Sequence, residues 1–120
     1  MNVQRYITYQ LTLEIKEPIT LTIGVLGRFT LPAGRYLYTG SARKNIDQRI
    51  CRHFKKVKPR RWHIDYLTTH PAVTIIAVQK FSADECQVNQ QSAGEILITG
   101  FGASDCRKKC GAHLKYVKDH

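Results

Sequence analysis

Two runs of alternating side chains near the start of the chain limit its fold more than any other feature. Ile7, Tyr9, Leu11, Leu13 and Ile15 alternate with Thr8, Gln10, Thr12 and Glu14. After the break at Lys16-Glu17-Pro18, Ile19, Leu21, Ile23 and Val25 alternate with Thr20, Thr22 and Gly24. A period of two puts one set of side chains on one face of an extended strand, a pattern no helix can produce. The pattern predicts a half-buried strand followed by a second strand that serves as its hairpin partner.

Further along, Gly27 and Leu31-Pro32-Ala33-Gly34 read as turns. A short aromatic strand runs from Arg35 to Thr39, and Gly40-Ser41 ends it. A helix is expected to start at Asn45, a good N-cap residue, and to stop at Lys58-Pro59. Within it Ile46, Ile50 and Phe54 fall on one core-facing stripe, with Arg49 and His53 on a second stripe at the rim. Trp62, Ile64 and Leu67 suggest a short helix, and Ala72 to Val78 a strand with little exposed face. Ser82 and Glu85 have the spacing of a capping box opening another helix. Gly100 to Gly111 reads as loop, and His113 to Val117 as a last strand. This order of elements predicts one small α/β (α+β) domain over residues 1–120, its mixed, mostly antiparallel sheet flanked by helices.

Charge narrows the partner. The 120 residues carry 19 basic and 9 acidic side chains, a formal charge of +10, which favours an anionic partner and nucleic acid first. Nine of those basic residues lie between positions 43 and 61: Arg43, Lys44, Arg49, Arg52, Lys55, Lys56, Lys58, Arg60 and Arg61. Clustering of this kind suits phosphate neutralisation. No targeting segment and no apolar run of membrane-spanning length is visible, so no membrane is expected. Cys51, Cys86, Cys106 and Cys110 accordingly read as thiols or metal ligands of a cytoplasmic protein before they read as disulfides.

Beside the basic block, Tyr36 and Tyr38 point to the same side of their strand. Gly40 follows, where backbone could approach a ligand, and then the helix bearing Arg49 and His53. An arginine fork can hold a phosphate oxygen, and a histidine or tyrosine can pass a proton.

These residues carry a resemblance. Tyr38-Thr39-Gly40-Ser41-Ala42, then Arg49 and His53, resemble the second half of the signature of GIY-YIG nucleases, and Ile7-Thr8-Tyr9 the first half. The blocks Trp62 to Leu67, Glu85-Cys86, Phe101 to Cys106 and His113-Leu114 resemble an uncharacterised small-domain branch of that superfamily, also found fused to endonuclease-III-like repair proteins. The resemblance spans nearly the whole chain and implies a metal-dependent endonuclease acting on nucleic acid, DNA before RNA, with a place in DNA repair. It implies that Tyr9 and Tyr38 position or deprotonate water, that Arg49 polarises the phosphate and that His53 assists. It implies that Glu85 holds a divalent metal, magnesium by preference. Arg43, Lys44, Arg52, Lys55, Lys56, Arg60 and Arg61 form the expected nucleic-acid surface, and His63 and Asp65 rank second in the pocket.

Two other readings compete. Ile7 stands where the family has a glycine, and the interval from Tyr9 to Tyr38 is long, as suits a nucleic-acid-binding module with the same fold and no chemistry. Cys86, Cys106, Cys110 and His113 could hold a structural Zn2+ in a domain that meets an acidic protein.

Overall fold

The computed structural model describes residues 6–42, 44–91, 94–98, 101 and 113–117, without the side chains of residues 86, 90 and 91. The elements are β1 (Thr8–Ile15), β2 (Ile19–Ile23), β3 (Gly27–Leu31), β4 (Gly34–Ser41), α1 (Ile46–His53), α2 (His63–Thr68), β5 (Val73–Phe81), α3 (Glu85–Gln91) and β6 (Leu114–Val117). The α+β class expected from the sequence is the observed one. The main sheet has the order β5-β1-β4-β6, and every described ladder is antiparallel.

The alternating runs are strands, but their pairing differs from expectation. β2 pairs with β3, not with β1, in a separate two-stranded sheet. β3 was hidden because its start at Gly27 and its end at Leu31-Pro32 both read as turns. The β2–β3 hairpin is thus an insertion between two strands that lie side by side. β1 pairs directly with β4 from Thr8↔Ser41 to Ile15↔Gly34, and this register puts Tyr9 opposite Gly40. The long interval between the two tyrosine motifs is the length of that insertion.

β1 is central rather than half-exposed, with neighbours on both edges and helices packed on it. Its odd-numbered side chains Tyr9, Leu11, Leu13 and Ile15 are core, and its polar Thr8 and Gln10 are buried as well. Their polar atoms are satisfied locally: Thr8 Oγ1 donates to the Ala83 carbonyl at 2.6 Å, and Gln10 Nε2 to Thr39 Oγ1 at 3.2 Å. β5 departs in the opposite sense. It is an edge strand, and the register shift between Thr12 and Leu13 leaves Ile76 as the extra residue of a bulge. The bulge breaks alternation, so Ile76 and Ala77 are both exposed where a covered strand was expected.

α1 is shorter than predicted. Asn45 occupies the N-cap position but offers no side-chain cap; it adopts the left-handed conformation (φ 59°, ψ 42°), which asparagine tolerates better than most residues. The helix ends at His53, and Lys58 Nζ donates to the carbonyls of Arg52 (2.9 Å) and His53 (3.1 Å), capping the C-terminal end. The buried positions of α1 are Ile50 and His53, while Phe54 is 53% exposed. The expected stripe of steps of four drifts off the core face, because the true period of 3.6 brings the seventh residue, not the eighth, back over Ile46.

Candidate functional site

Three elements converge above the β1–β4 pair. Tyr9 from β1 and Tyr38 from β4 are buried, their rings 6.5 Å apart. His53, the last residue of α1, is fully buried against both, at 5.3 Å from Tyr9 and 6.1 Å from Tyr38. The Tyr9 hydroxyl lies 2.7 Å from His53 Nε2. Gly40 makes this arrangement fit. A Cβ there would sit 2.6 Å from both Cζ and Oη of Tyr9, so the glycine clears space for the phenol.

Arg49 stands one turn before His53, exposed at the mouth of this cluster. One of its N–H groups donates to the Ser41 carbonyl at 2.9 Å, and its guanidinium lies 4.9 Å from the Trp62 ring centre. Arg52 stacks on the same indole at 4.4 Å, and His53 lies 5.9 Å from it. Trp62 is therefore the plate that orders both arginines and closes over the histidine. Its sequence role looked like helix patterning, and nothing in the spacing distinguished it.

Glu85 opens α3 at the edge of this cluster. The Asp84 carbonyl accepts from Val88 N–H, and its Oδ1 from Gln87 N–H, so the helix starting at Glu85 is capped at Asp84 rather than at the expected Ser82. The Glu85 Oε2 lies 3.4 Å from Nδ1 of buried His113, and the Glu85 side chain is 28% exposed. A part-exposed carboxylate is a residue type that could hold Mg2+, which takes one or two carboxylates and fills its octahedron with water and phosphate oxygens. Among the described residues no three metal-ligating side chains cluster. Of the zinc set, Cys106 and Cys110 and the side chain of Cys86 lie outside the described residues.

Electrostatics tune the cluster. Burial raises the Tyr9 phenol well above its ordinary range; Arg49 opposes this, while Glu85 and Asp65 add to it. Burial does the same for Tyr38, reinforced by Tyr9 and Glu85. His53 falls from 6.5 to about 4, through burial first and then the Lys58 ammonium, with Asp65 opposing. Its imidazole is neutral at pH 7. A histidine whose folded value lies below its unfolded one adds stability above pH 6.5, and loses it as pH falls through 4. The wild-type urea midpoint should therefore drop on going from pH 7 to 4, by about 3 kcal/mol for this group. In His53→Gln that part of the drop should vanish; an unchanged profile would refute the assignment.

Asp65 is the hub beneath the site rather than a pocket residue. It is fully buried and takes Arg52 in a two-pronged pair (2.8 and 3.1 Å), with backbone N–H groups of Arg61 (2.9 Å) and Trp62 (3.0 Å) on Oδ2. Lys58 Nζ lies 3.8 Å away. Burial alone would raise its carboxyl, but the Arg52 and backbone hydrogen bonds outweigh it and hold the group below the ordinary range.

The expected nucleic-acid surface divides. Arg52 is committed to Asp65 and to the Pro59 carbonyl, and Lys56 donates to the His70 and Val73 carbonyls. Lys44, Lys55, Arg60 and Arg61 are exposed; Arg60 lies over Tyr66 at 5.3 Å. Arg43 lies outside the described residues. An open cleft of about 540 Å³ runs between the β2–β3 hairpin and α2, walled in part by Leu21, Lys56, Lys58, Arg60 and Tyr66. His63 packs on Phe101 at 5.6 Å, and Tyr36 is a core residue whose hydroxyl donates to the Pro32 carbonyl. Among the described residues no helix is long and apolar enough to cross a membrane.

The fold and the cluster define a small antiparallel α+β domain with a buried tyrosine–histidine pair under an exposed arginine. The chain belongs to the family described as the domain of unknown function DUF123, whose model matches residues 8–120. No curated protein and no solved structure matches it.

Proposed function

We propose that this protein is a metal-dependent endonuclease of the GIY-YIG type, hydrolysing phosphodiester bonds in nucleic acid, DNA before RNA, as a cytoplasmic repair enzyme. The observation that carries the reading is the 2.7 Å contact between Tyr9 Oη and His53 Nε2, with Tyr38 against it and Arg49 at its mouth. Residues 44 positions apart meet in a geometry suited to moving a proton, beside a cation suited to a phosphate.

The chemistry follows from these groups. Arg49 uses one donor on Ser41 and has others to hold the non-bridging oxygens of the scissile phosphate, offsetting charge as it builds. Tyr9 keeps its proton at neutral pH, so it serves as a shuttle: its oxygen takes a proton from the attacking water while its own passes to Nε2. The new P–O bond forms as the bond to the leaving strand breaks. Glu85 would hold Mg2+, which would supply neutralisation of phosphate charge. Lys44, Lys55, Arg60 and Arg61 supply the approach surface.

The test is to incubate the purified protein with flapped, branched and single-stranded DNA, and with RNA of matching form, in Mg2+ or Mn2+. Cleavage is expected, falling on the order of 10²-fold or more in Arg49→Ala and Tyr9→Phe. Equal products from wild type and Arg49→Ala, or none from either, would remove the enzymatic reading. The high phenol pKa values favour a second reading, a binding module that keeps the fold without turnover. It is the reading left standing if binding is salt-dependent, weakens on reversing Lys55 and Arg60, and leaves the nucleic acid intact.

A further inference from the structure

His53 and Thr68 share an unusual condition. His53 Nδ1 and Thr68 Oγ1 are buried side-chain polar atoms with no hydrogen-bond partner among the described residues, and their residues are 0% and 2% exposed. Both residues line the same cavity of about 120 Å³, which also meets Val73 and Ile75 of β5. Its remaining walls, Phe54, Lys56 and Thr74, are exposed residues, so the cavity leads to the surface, and Tyr9 is not among its walls.

Cavities lined only by aliphatic groups stay dry, whereas unpaired buried polar atoms cost roughly 1–3 kcal/mol each and recruit water. At about 30 Å³ per molecule in the liquid, this cavity has room for up to about four waters. We propose that the cavity behind His53 is a solvent site, positioned by Thr68, through which the Tyr9–His53 pair exchanges its proton with bulk water. The solvent site stands on the cavity and its two polar atoms; its use as a proton outlet rests on the nuclease reading above.

The need for an outlet is electrostatic. His53 is faced by Lys58 from the following loop, by Arg49 and Arg52 of its own helix, and by Asp65 of α2; Tyr9 and Tyr38 face it from the sheet as neutral phenols. Three cations against one carboxylate oppose an imidazolium. A proton that arrives at Nε2 is therefore accommodated only if another leaves Nδ1. With Tyr9 O–H donating to Nε2, the neutral ring carries its proton on Nδ1, the buried nitrogen that has no protein partner among the described residues. Tyr9 gains a proton from the attacking water, Nε2 gains the phenolic one, and the Nδ1 proton passes to cavity water and out. The ring ends as its other neutral tautomer. After product leaves, the steps run backwards against solvent: Tyr9 releases a proton to water and recovers the one on Nε2, and Nδ1 regains one from the cavity. Thr68 is thus a positioning residue that never touches substrate.

The experiment uses the full chain with 15N-labelled histidine, the His53 signals being identified by their loss in His53→Gln. At pH 7 the wild-type ring should be neutral with its proton on Nδ1, and that proton should show an exchange cross-peak with water. Thr68→Ser should keep the cross-peak and Thr68→Val should lose it, at closely similar urea midpoints. A proton on Nε2 instead, a wild-type Nδ1 proton with no exchange to water, or equal exchange in Thr68→Val would overturn the solvent site; the first two results need no variant to fold. The outlet role is read separately. Thr68→Val should slow cleavage about tenfold, part of what general acid–base catalysis supplies, and alter its pH profile, with Thr68→Ser restoring both. Wild type that cuts nothing overturns the outlet and the nuclease reading together, while leaving the solvent site to the NMR result.

Discussion

Gly40→Ala is expected to destabilise the main sheet and to push the Tyr9 phenol out of its place. The added Cβ would lie 2.6 Å from Cζ and Oη of Tyr9 and 3.1 Å from Cε2 of Tyr38. The far end of a side chain can often swing aside, but this one has nowhere to go: Tyr9 is 2% exposed and held to His53 Nε2. Either the phenol leaves its hydrogen bond or β1 and β4 move apart at Tyr9↔Gly40. Overpacking of this kind costs about 1–3 kcal/mol, and on the proposed nuclease reading cleavage should fall by about 10²-fold or more because the proposed proton shuttle is misplaced. A double-mutant cycle isolates the cause. In a Tyr9→Ala background the principal clash is gone, so Gly40→Ala should then cost far less in urea than it does in wild type. Equal costs in the two backgrounds would mean that the glycine serves something other than the phenol.

Gly40 also marks where reading the chain stops working. The alternation from Ile7 to Val25 identified two strands, because period two is a local property. It named the wrong partner, because β1 pairs with β4 across an intervening hairpin whose own second strand begins at a glycine. Helix α1 was legible in position and misread in phase, since the period of 3.6 puts His53 rather than Phe54 on the core face, and Lys58 caps its end from outside. The bulge at Ile76 left no mark on composition. For the site, Tyr9, Tyr38, Arg49 and His53 were legible through motif resemblance, and the fold does bring them together. Trp62, Lys58 and Thr68 were not, because each acts across elements: as a plate under two guanidiniums, as a cap on another helix, as a wall of a shared cavity. Such roles are set by tertiary contact and have no periodicity to betray them.

The second large effect concerns the charge beneath that plate. Asp65→Ala is expected to destabilise the domain by about 3–5 kcal/mol at pH 7, the range for removing one partner of a buried ion pair. It strips Arg52 of both carboxylate oxygens, leaves the largely buried Lys58 ammonium without its counter-charge, and orphans the backbone N–H groups of Arg61 and Trp62. Lys58, already lowered to about 8 by burial with Asp65 as its support, should then lose its proton more readily. A loss of this size is a large share of a domain's usual 5–15 kcal/mol. The pH dependence gives an independent check. Asp65 has a folded value below its unfolded one of about 3.8, so its contribution is complete above that pH and disappears as pH falls through the folded value. The gap in urea stability between wild type and Asp65→Ala should stay level from pH 7 to 5 and close only in stronger acid. Replacing both partners, as in Asp65→Leu with Arg52→Met, should recover part of the loss, since an apolar pair carries no desolvation penalty. On the proposed nuclease reading that double variant should still cleave poorly, because Trp62 would have lost the guanidinium stacked on it beside Arg49. Full cleavage by a restabilised Asp65→Leu/Arg52→Met protein would instead show that the hub serves the fold alone.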